Sequence, residues 1–241
     1  GDCLVNVRFC CAALVCLVSA TVSAADNTPP AGFTALFNGK DFTGFHGVGT
    51  EDPRKIQALS DAERTEKFAK SLADLAEHWK VDNGELVNDG KGLYMTTDKD
   101  YADYELHVEW KLIPHGDSGV YLKGTPQVQI WDYTDADYVQ RLKANLGSGG
   151  LWNNSAGSSG KDPLVLADKP IGQWNKLRIL QAGARTTVYL NDKLVVDRAI
   201  LENYFDKNKT PLVYKGPVQL QTHGNEVRWK NIYIRELSAA E

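Results

Sequence analysis

Gly116-Asp-Ser-Gly-Val-Tyr-Leu-Lys-Gly-Thr-Pro-Gln-Val-Gln-Ile-Trp-Asp132 reads as two short strands joined by a Gly-Thr-Pro turn. Alternation places Tyr121 and Lys123 on one face of the first strand, and Gln127, Gln129 and Trp131 on one face of the second. Gln and Lys hydrogen-bond hydroxyls, and Trp stacks on the apolar face of a sugar ring. An ordinary solvated face carries Lys, Glu and Thr instead. Just upstream, Leu106, Val108, Trp110 and Leu112 alternate with Glu105, His107, Glu109 and Lys111. That is the signature of a strand with one face in a core.

Further strands are predicted at Phe33–Phe37, Lys176–Gln181, Thr186–Leu190, Lys193–Val196, Val218–Gln221 and Val227–Arg235. Asn83-Gly84, Asp89-Gly90 and Asn191-Asp192 supply turns. No helix alternates with each strand, so a sandwich or jelly roll is expected rather than a parallel α/β sheet. Residues 54–79 differ. There Ile56, Leu59, Phe68, Leu72, Leu75 and Trp79 recur at helical spacings, and Ser60-Asp-Ala-Glu63 matches a capping box. One or two amphipathic helices are predicted, packed against an edge or end of the sandwich. Gly147–Gly160, rich in Gly, Ser and Asn, is a long loop or lid candidate.

At the other end of the chain, Arg8 precedes the apolar run Phe9–Val18, and Val22-Ser-Ala24 ends a small-residue stretch. This is the pattern of a secretory signal peptide over residues 1–25, cleaved near Ala24 or Ala25. A secreted or periplasmic protein follows, with no membrane span once processed. All 4 cysteines fall in that leader, so disulfides, thiolate metal sites and a cysteine nucleophile are excluded from the remainder. Residues 26–31 read as a linker and 32–238 as one domain. The net charge of −4 gives no electrostatic footprint for nucleic acid.

Gln219, Gln221 and His223 alternate with Val218, Leu220 and Thr222, a second polar strand face ending in an imidazole suited to acid–base work. Glu109, Asp117 and Asp132 are the acidic candidates. Paired carboxylates are the usual glycosidase device, and an Asp, Glu and His set equally suits a divalent metal. HExxH, EF-hand, P-loop and G-x-S-x-G patterns are missing.

Six segments occur in a telling order: Phe37-Asn-Gly-Lys-Asp-Phe-Thr-Gly44, Trp79-x-Val-x-Asn-Gly-Glu-Leu86, Asp117–Gly124, Pro170-Ile-Gly-Gln-Trp-Asn175, Val188-Tyr-Leu-Asn191 and Gly216-Pro-Val-Gln-Leu-Gln-Thr-His-Gly224. From about Gly32 to Leu237 the chain resembles the 3-keto-disaccharide hydrolase domain family. The resemblance implies a concanavalin A-like jelly-roll β-sandwich, with the 54–79 helices as an insertion. It also implies export in bacteria and action on glycosides oxidised at C3. By residue matching it points to Glu109, Asp132 and His223 as base or metal-ligand candidates. Lys123 and Gln129 would contact hydroxyls or the enolate oxygen, and Trp131 or Trp152 would stack. Asp117, Tyr121, Gln127 and Gln221 complete the expected substrate contacts. A non-catalytic lectin-like module and a laminin-G-like adhesion domain are the alternatives on the same fold.

Overall fold

The structure, a computed structural model, describes Gly1 and residues 26–238. The expected leader, its cysteines and its cleavage position lie outside the described residues. Thirteen strands form among the described residues. In chain order they are β1 (Thr34–Ala35), β2 (Phe45–Val48), β3 (Trp79–Asp82), β4 (Glu85–Asn88), β5 (Tyr94–Thr97), β6 (Tyr104–Leu112) and β7 (Asp117–Leu122). Then come β8 (Thr125–Trp131), β9 (Asn175–Ala182), β10 (Arg185–Leu190), β11 (Lys193–Ile200), β12 (Gln219–Leu220) and β13 (Val227–Glu236). The helices are α1 (Pro53–Gln57), α2 (Asp61–His78) and α3 (Ala136–Leu142).

The alternation that predicted β6 decides its packing. Leu106, Val108, Trp110 and Leu112 are buried, and each such side chain contributes about 1.5–3 kcal/mol of burial. Trp110 pairs in register with Trp229 of β13, so two large indoles anchor the centre of one sheet. That sheet runs β11-β10-β9-β6-β13-β4-β3, with β1 also on β13; the second runs β2-β5-β12-β7-β8. All of these pairings are antiparallel. Met95, Val120, Val128, Ile130 and Leu220 of the second sheet join the residues of β6 and β13 in one apolar cluster. The fold is an all-β jelly-roll sandwich with a short helical insertion.

That insertion forms where the spacing predicted it. Ser60 Oγ accepts from the Glu63 N–H, and the Glu63 carboxylate accepts from the Ser60 N–H. This reciprocal cap is worth about 0.5–2 kcal/mol. α2 then packs on β2, the edge strand of the second sheet. Ser71 Oγ of α2 accepts from the Gly47 N–H at 2.8 Å, which closes part of an otherwise open sheet edge.

The turn after β7 departs from expectation. It is Lys123-Gly124, with φ of 53° and 70°, while Thr125 and Pro126 already belong to β8. A two-residue loop with both centres at positive φ matches the right-handed twist of the strands it joins. The expected Gly-Thr-Pro turn is therefore displaced by one residue, and the displacement decides the fate of Lys123. The 147–160 loop also differs from a free lid. Gly149 N–H donates to Gln129 O and Gln129 N–H to Gly150 O, at 2.7 and 2.9 Å. Its first half thus lies along the edge of β8.

Candidate functional site

β7 and β8 are buried at every position, although only one face of each meets the core. The other face is roofed by α3, the 147–153 segment and the turn at Tyr204. Beneath that roof lies a cavity of about 320 Å3. Asp117, Tyr121, Gln127, Gln129, Trp131, Trp152, Gln221 and His223 all line it. Alternation explains the convergence. Asp117, Gly119 and Tyr121 share one face of β7, Gln127, Gln129 and Trp131 share one face of β8, and the register places Gly119 opposite Gln129.

A chain of hydrogen bonds crosses this floor. Gln129 Nε2 donates to Asp117 Oδ1 at 2.7 Å, and Gln127 Nε2 donates to Gln129 Oε1 at 2.6 Å. Carboxylates and carbonyls only accept, so Asp117, with the Ser118 and Ile130 carbonyls each 3.2 Å from Gln129 Nε2, fixes the polarity of both amides. Gln127 Oε1 is left without a donor, as are Gln221 Oε1 and Asn153 Oδ1. Three unsatisfied acceptors around one cavity are costly, about 1–3 kcal/mol each, and they suit a ligand that brings hydroxyl donors. Gly119 makes the arrangement possible, because a Cβ there would sit 2.5 Å from Gln127 Oε1.

The other oxygen of Asp117 faces His223, with Nδ1 3.2 Å from Oδ2. This contact raises the imidazole pKa, with burial opposing. The Nδ1 proton points at the carboxylate, so Nε2 holds the lone pair. Tyr121 Oη lies 2.9 Å from Thr50 Oγ1, which lies 3.0 Å from Tyr94 Oη. Burial pushes the Tyr121 phenol far above its usual pKa, so it stays protonated. Trp131 donates Nε1–H to Gly147 O at 2.9 Å and meets Trp152 edge-on at 5.0 Å. Lys161 Nζ sits 4.3 Å from the Trp152 ring centre.

A 3-keto-alpha-glucoside-1,2-lyase-like domain model matches residues 32–235. The chain belongs to this family. A curated relative, the 3-keto-disaccharide hydrolase of Bacteroides thetaiotaomicron, is 23% identical over 244 residues, covering 86% of this chain and 79% of the relative. Among solved structures, a putative glycosyl hydrolase from Parabacteroides distasonis has a TM-score of 0.59 at 22% identity, covering 86% of this chain and 94% of that one. A second putative glycosyl hydrolase from the same organism has a TM-score of 0.53 at 23% identity, covering 67% and 91%. At these identities the two structures establish the sandwich alone.

Three expected site residues of this 3-keto-alpha-glucoside-1,2-lyase-like chain do not join the cavity. Glu109 alternates away from the core as expected, but β6 belongs to the other sheet. Its carboxylate accepts from Asn231 Nδ2 at 3.0 Å and lies 3.8 Å from Lys230 Nζ. Asp132 ties a turn: it accepts from the His115 and Thr134 N–H groups and from Thr134 Oγ1. Lys123, at positive φ, turns its side chain into the protein, where Nζ donates to Gly183 O and Tyr214 O at 2.8 and 3.0 Å.

Five lining residues escaped the sequence reading: Thr50, Tyr94, Leu142, Asn153 and Tyr204. Tyr94 and Thr96 flanking the buried Met95 were a usable alternation signal. The other four come from loops and helices with no period to read. The acidic and imidazole donors at the cavity are Asp117 and His223. Among the described residues no group of three or more His, Cys, Asp or Glu converges. The described residues include no helix long and apolar enough to cross a membrane.

Proposed function

We propose that this protein cleaves the glycosidic bond of 3-keto-glycosides outside the cytoplasm, by proton abstraction and elimination followed by hydration. The observation that carries the reading is the Asp117–His223 pair beside a cavity floored by glutamines and walled by Tyr121 and two tryptophans. The family and the name of the B. thetaiotaomicron relative support the substrate class. The apolar run ahead of Ala24 supports export.

A ketone at C3 acidifies the proton on C2. His223 Nε2 takes that proton, and the electron pair passes into the C2–C3 bond and onto the C3 oxygen. Asp117 holds the imidazole in the required tautomer and stabilises the imidazolium. The Tyr121 phenol, neutral at working pH, donates to the developing enolate oxygen. Return of the pair restores the ketone, forms the C1–C2 double bond and expels the C1 oxygen substituent, which takes the proton from His223. Water then adds at C1 as C2 is reprotonated, giving net hydrolysis. The acceptors Gln127, Gln221 and Asn153 receive sugar hydroxyls, and Trp152 covers the ring.

The test incubates purified protein with 3-keto-trehalose and 3-keto-sucrose and follows free sugar. Release that is lost in His223→Ala supports the reading. No release across such a panel sinks it. The edge-on tryptophan pair and the three free acceptors also suit a lectin-like module, which would bind the same ligands and release nothing.

A further inference from the structure

A second cavity, about 400 Å3, lies between the α1–α2 insertion and the part of the same sheet face formed by β2, β5 and β12. The Thr50–Tyr94–Tyr121 hydroxyl cluster stands beside the first cavity, whereas Thr96 and Gln219 line the second. Gln219 is in register with Tyr121 on the next strand, so the two cavities are about one strand spacing, ~5 Å, apart at that point.

The second cavity holds its own Asp–His pair. His46 is 4% exposed, and its Nδ1 lies 2.8 Å from Asp98 Oδ1. Phe68 of α2 stacks on the imidazole at 3.4 Å and 18°, which fixes the ring plane. The carboxylate takes the Nδ1 proton, so Nε2 is an acceptor. Burial pushes the imidazole pKa down against the opposing pull of Asp98, so the ring is neutral at pH 7. Gln219 is polarised in the same way. Thr96 Oγ1 donates to Tyr94 O and accepts from Gln219 Nε2, at 3.0 Å in each case. Gln219 Oε1 is thereby left as an acceptor, and no described residue donates to it or to His46 Nε2.

Two acceptors of fixed polarity thus form the floor, and Ile56, Pro53 and Pro217 supply apolar wall. Around the rim, Arg64, Lys99 and Lys215 face Glu51, Asp98 and Asp100, so charge is balanced. A charge-balanced rim, an acceptor floor and an apolar wall match a neutral ring that carries hydroxyl donors and a C–H face. We propose that this cavity is a second carbohydrate site, binding a neutral sugar ring through His46 and Gln219. The ligand class is shared with the reaction proposed above, but binding here is read without turnover. A failed cleavage assay would therefore leave this inference standing, and the reverse holds too.

The experiment titrates the full chain with methyl α-D-glucopyranoside at pH 7 and follows the five histidine Cε1–H signals by NMR. His46→Phe, which keeps the stack on Phe68, identifies the His46 signal by its loss. Should that variant not fold, Asp98→Asn identifies the signal by moving it. The expected result is a saturable shift of the His46 signal that survives in His223→Ala and weakens about tenfold in Gln219→Leu, about 1.4 kcal/mol. The proposal is overturned by a His46 signal that stays fixed to saturation of the first site, by a shift that disappears in His223→Ala, or by one unchanged in Gln219→Leu. A shift with glucuronate but not with the neutral glucoside overturns the ligand class.

Discussion

His223 Nδ1 lies 3.2 Å from Asp117 Oδ2, while the other oxygen of Asp117 accepts from Gln129 Nε2 at 2.7 Å. One carboxylate therefore orients both the exposed base and the amide ladder of the cavity floor. Replacing His223 by Ala should lower kcat/KM by about 10²–10⁴. Replacing Asp117 should add a loss of binding, because Gln129 Nε2 then loses its shortest acceptor and keeps only the Ser118 and Ile130 carbonyls at 3.2 Å. Steady-state kinetics that separate kcat from KM check both.

The pH dependence has a definite sign. Asp117 raises the His223 pKa, and the base acts only when neutral. Activity should therefore rise with pH through a value above the usual ~6.5. In Asp117→Asn the rising limb should move to lower pH, although the plateau rate falls. A pH–rate profile of kcat/KM measures this. A limb that stays in place in the variant would remove His223 as the base.

Gly119→Ala brings a methyl to 2.5 Å from Gln127 Oε1 and 3.1 Å from Val128 O. The side chain end could move, but Gln127 is buried and bonded to Gln129, so moving it breaks the ladder. We expect about 1–3 kcal/mol of lost stability with a raised KM, measured by urea titration and kinetics on the same sample.

Lys123→Met keeps the buried stem but removes the donor to Tyr214 O, and leaves Gly183 O with Gln181 Nε2 as its side-chain donor. Stability should fall by about 1–3 kcal/mol, with KM unchanged because Nζ points away from the cavity. A raised KM in a folded variant would return Lys123 to the site.

Glu105 predicts the acid limb of stability. Burial opposes its ionisation, but Arg178, His107 and Arg235 together outweigh it and hold its pKa down at about 2. The folded pKa lies below the unfolded one, so this stabilisation is fully present above about 4.5 and is lost as pH falls towards 2. At 1.36 kcal/mol per unit it amounts to at most about 3 kcal/mol, less because solvent screens Arg178. Glu105→Gln should flatten the fall in urea midpoint between pH 4.5 and 2.

Much of this was legible in the chain itself. Period-2 alternation gave β6, β7 and β8 and assigned Gln127, Gln129 and Trp131 to one face, because successive side chains in a strand must point to opposite sides. The 3.6 spacing and the Ser60–Glu63 box gave α2, because helix ends need local partners for their free N–H groups. The position of Glu109 was not legible. Its alternation is correct, but nothing in residues 104–112 says which of two sheets the strand joins. Asp132 carried the ordinary chemistry of a turn, and local sequence does not separate that role from catalysis.

The sequence by itself determined the longer strands with their polar and apolar faces, the helical insertion and the family, from local periodicity and residue order, but not β2, β5 or α3. Tertiary structure alone decided which faces meet. It brought Asp117 and His223 to 3.2 Å across more than a hundred residues. It turned Lys123 inward through a positive-φ hairpin, and it folded α2 over His46 to build a second cavity. The physical reason is that strand pairing and sheet packing are long-range choices. They are set by the summed burial of both sheets, and no single segment encodes its partner.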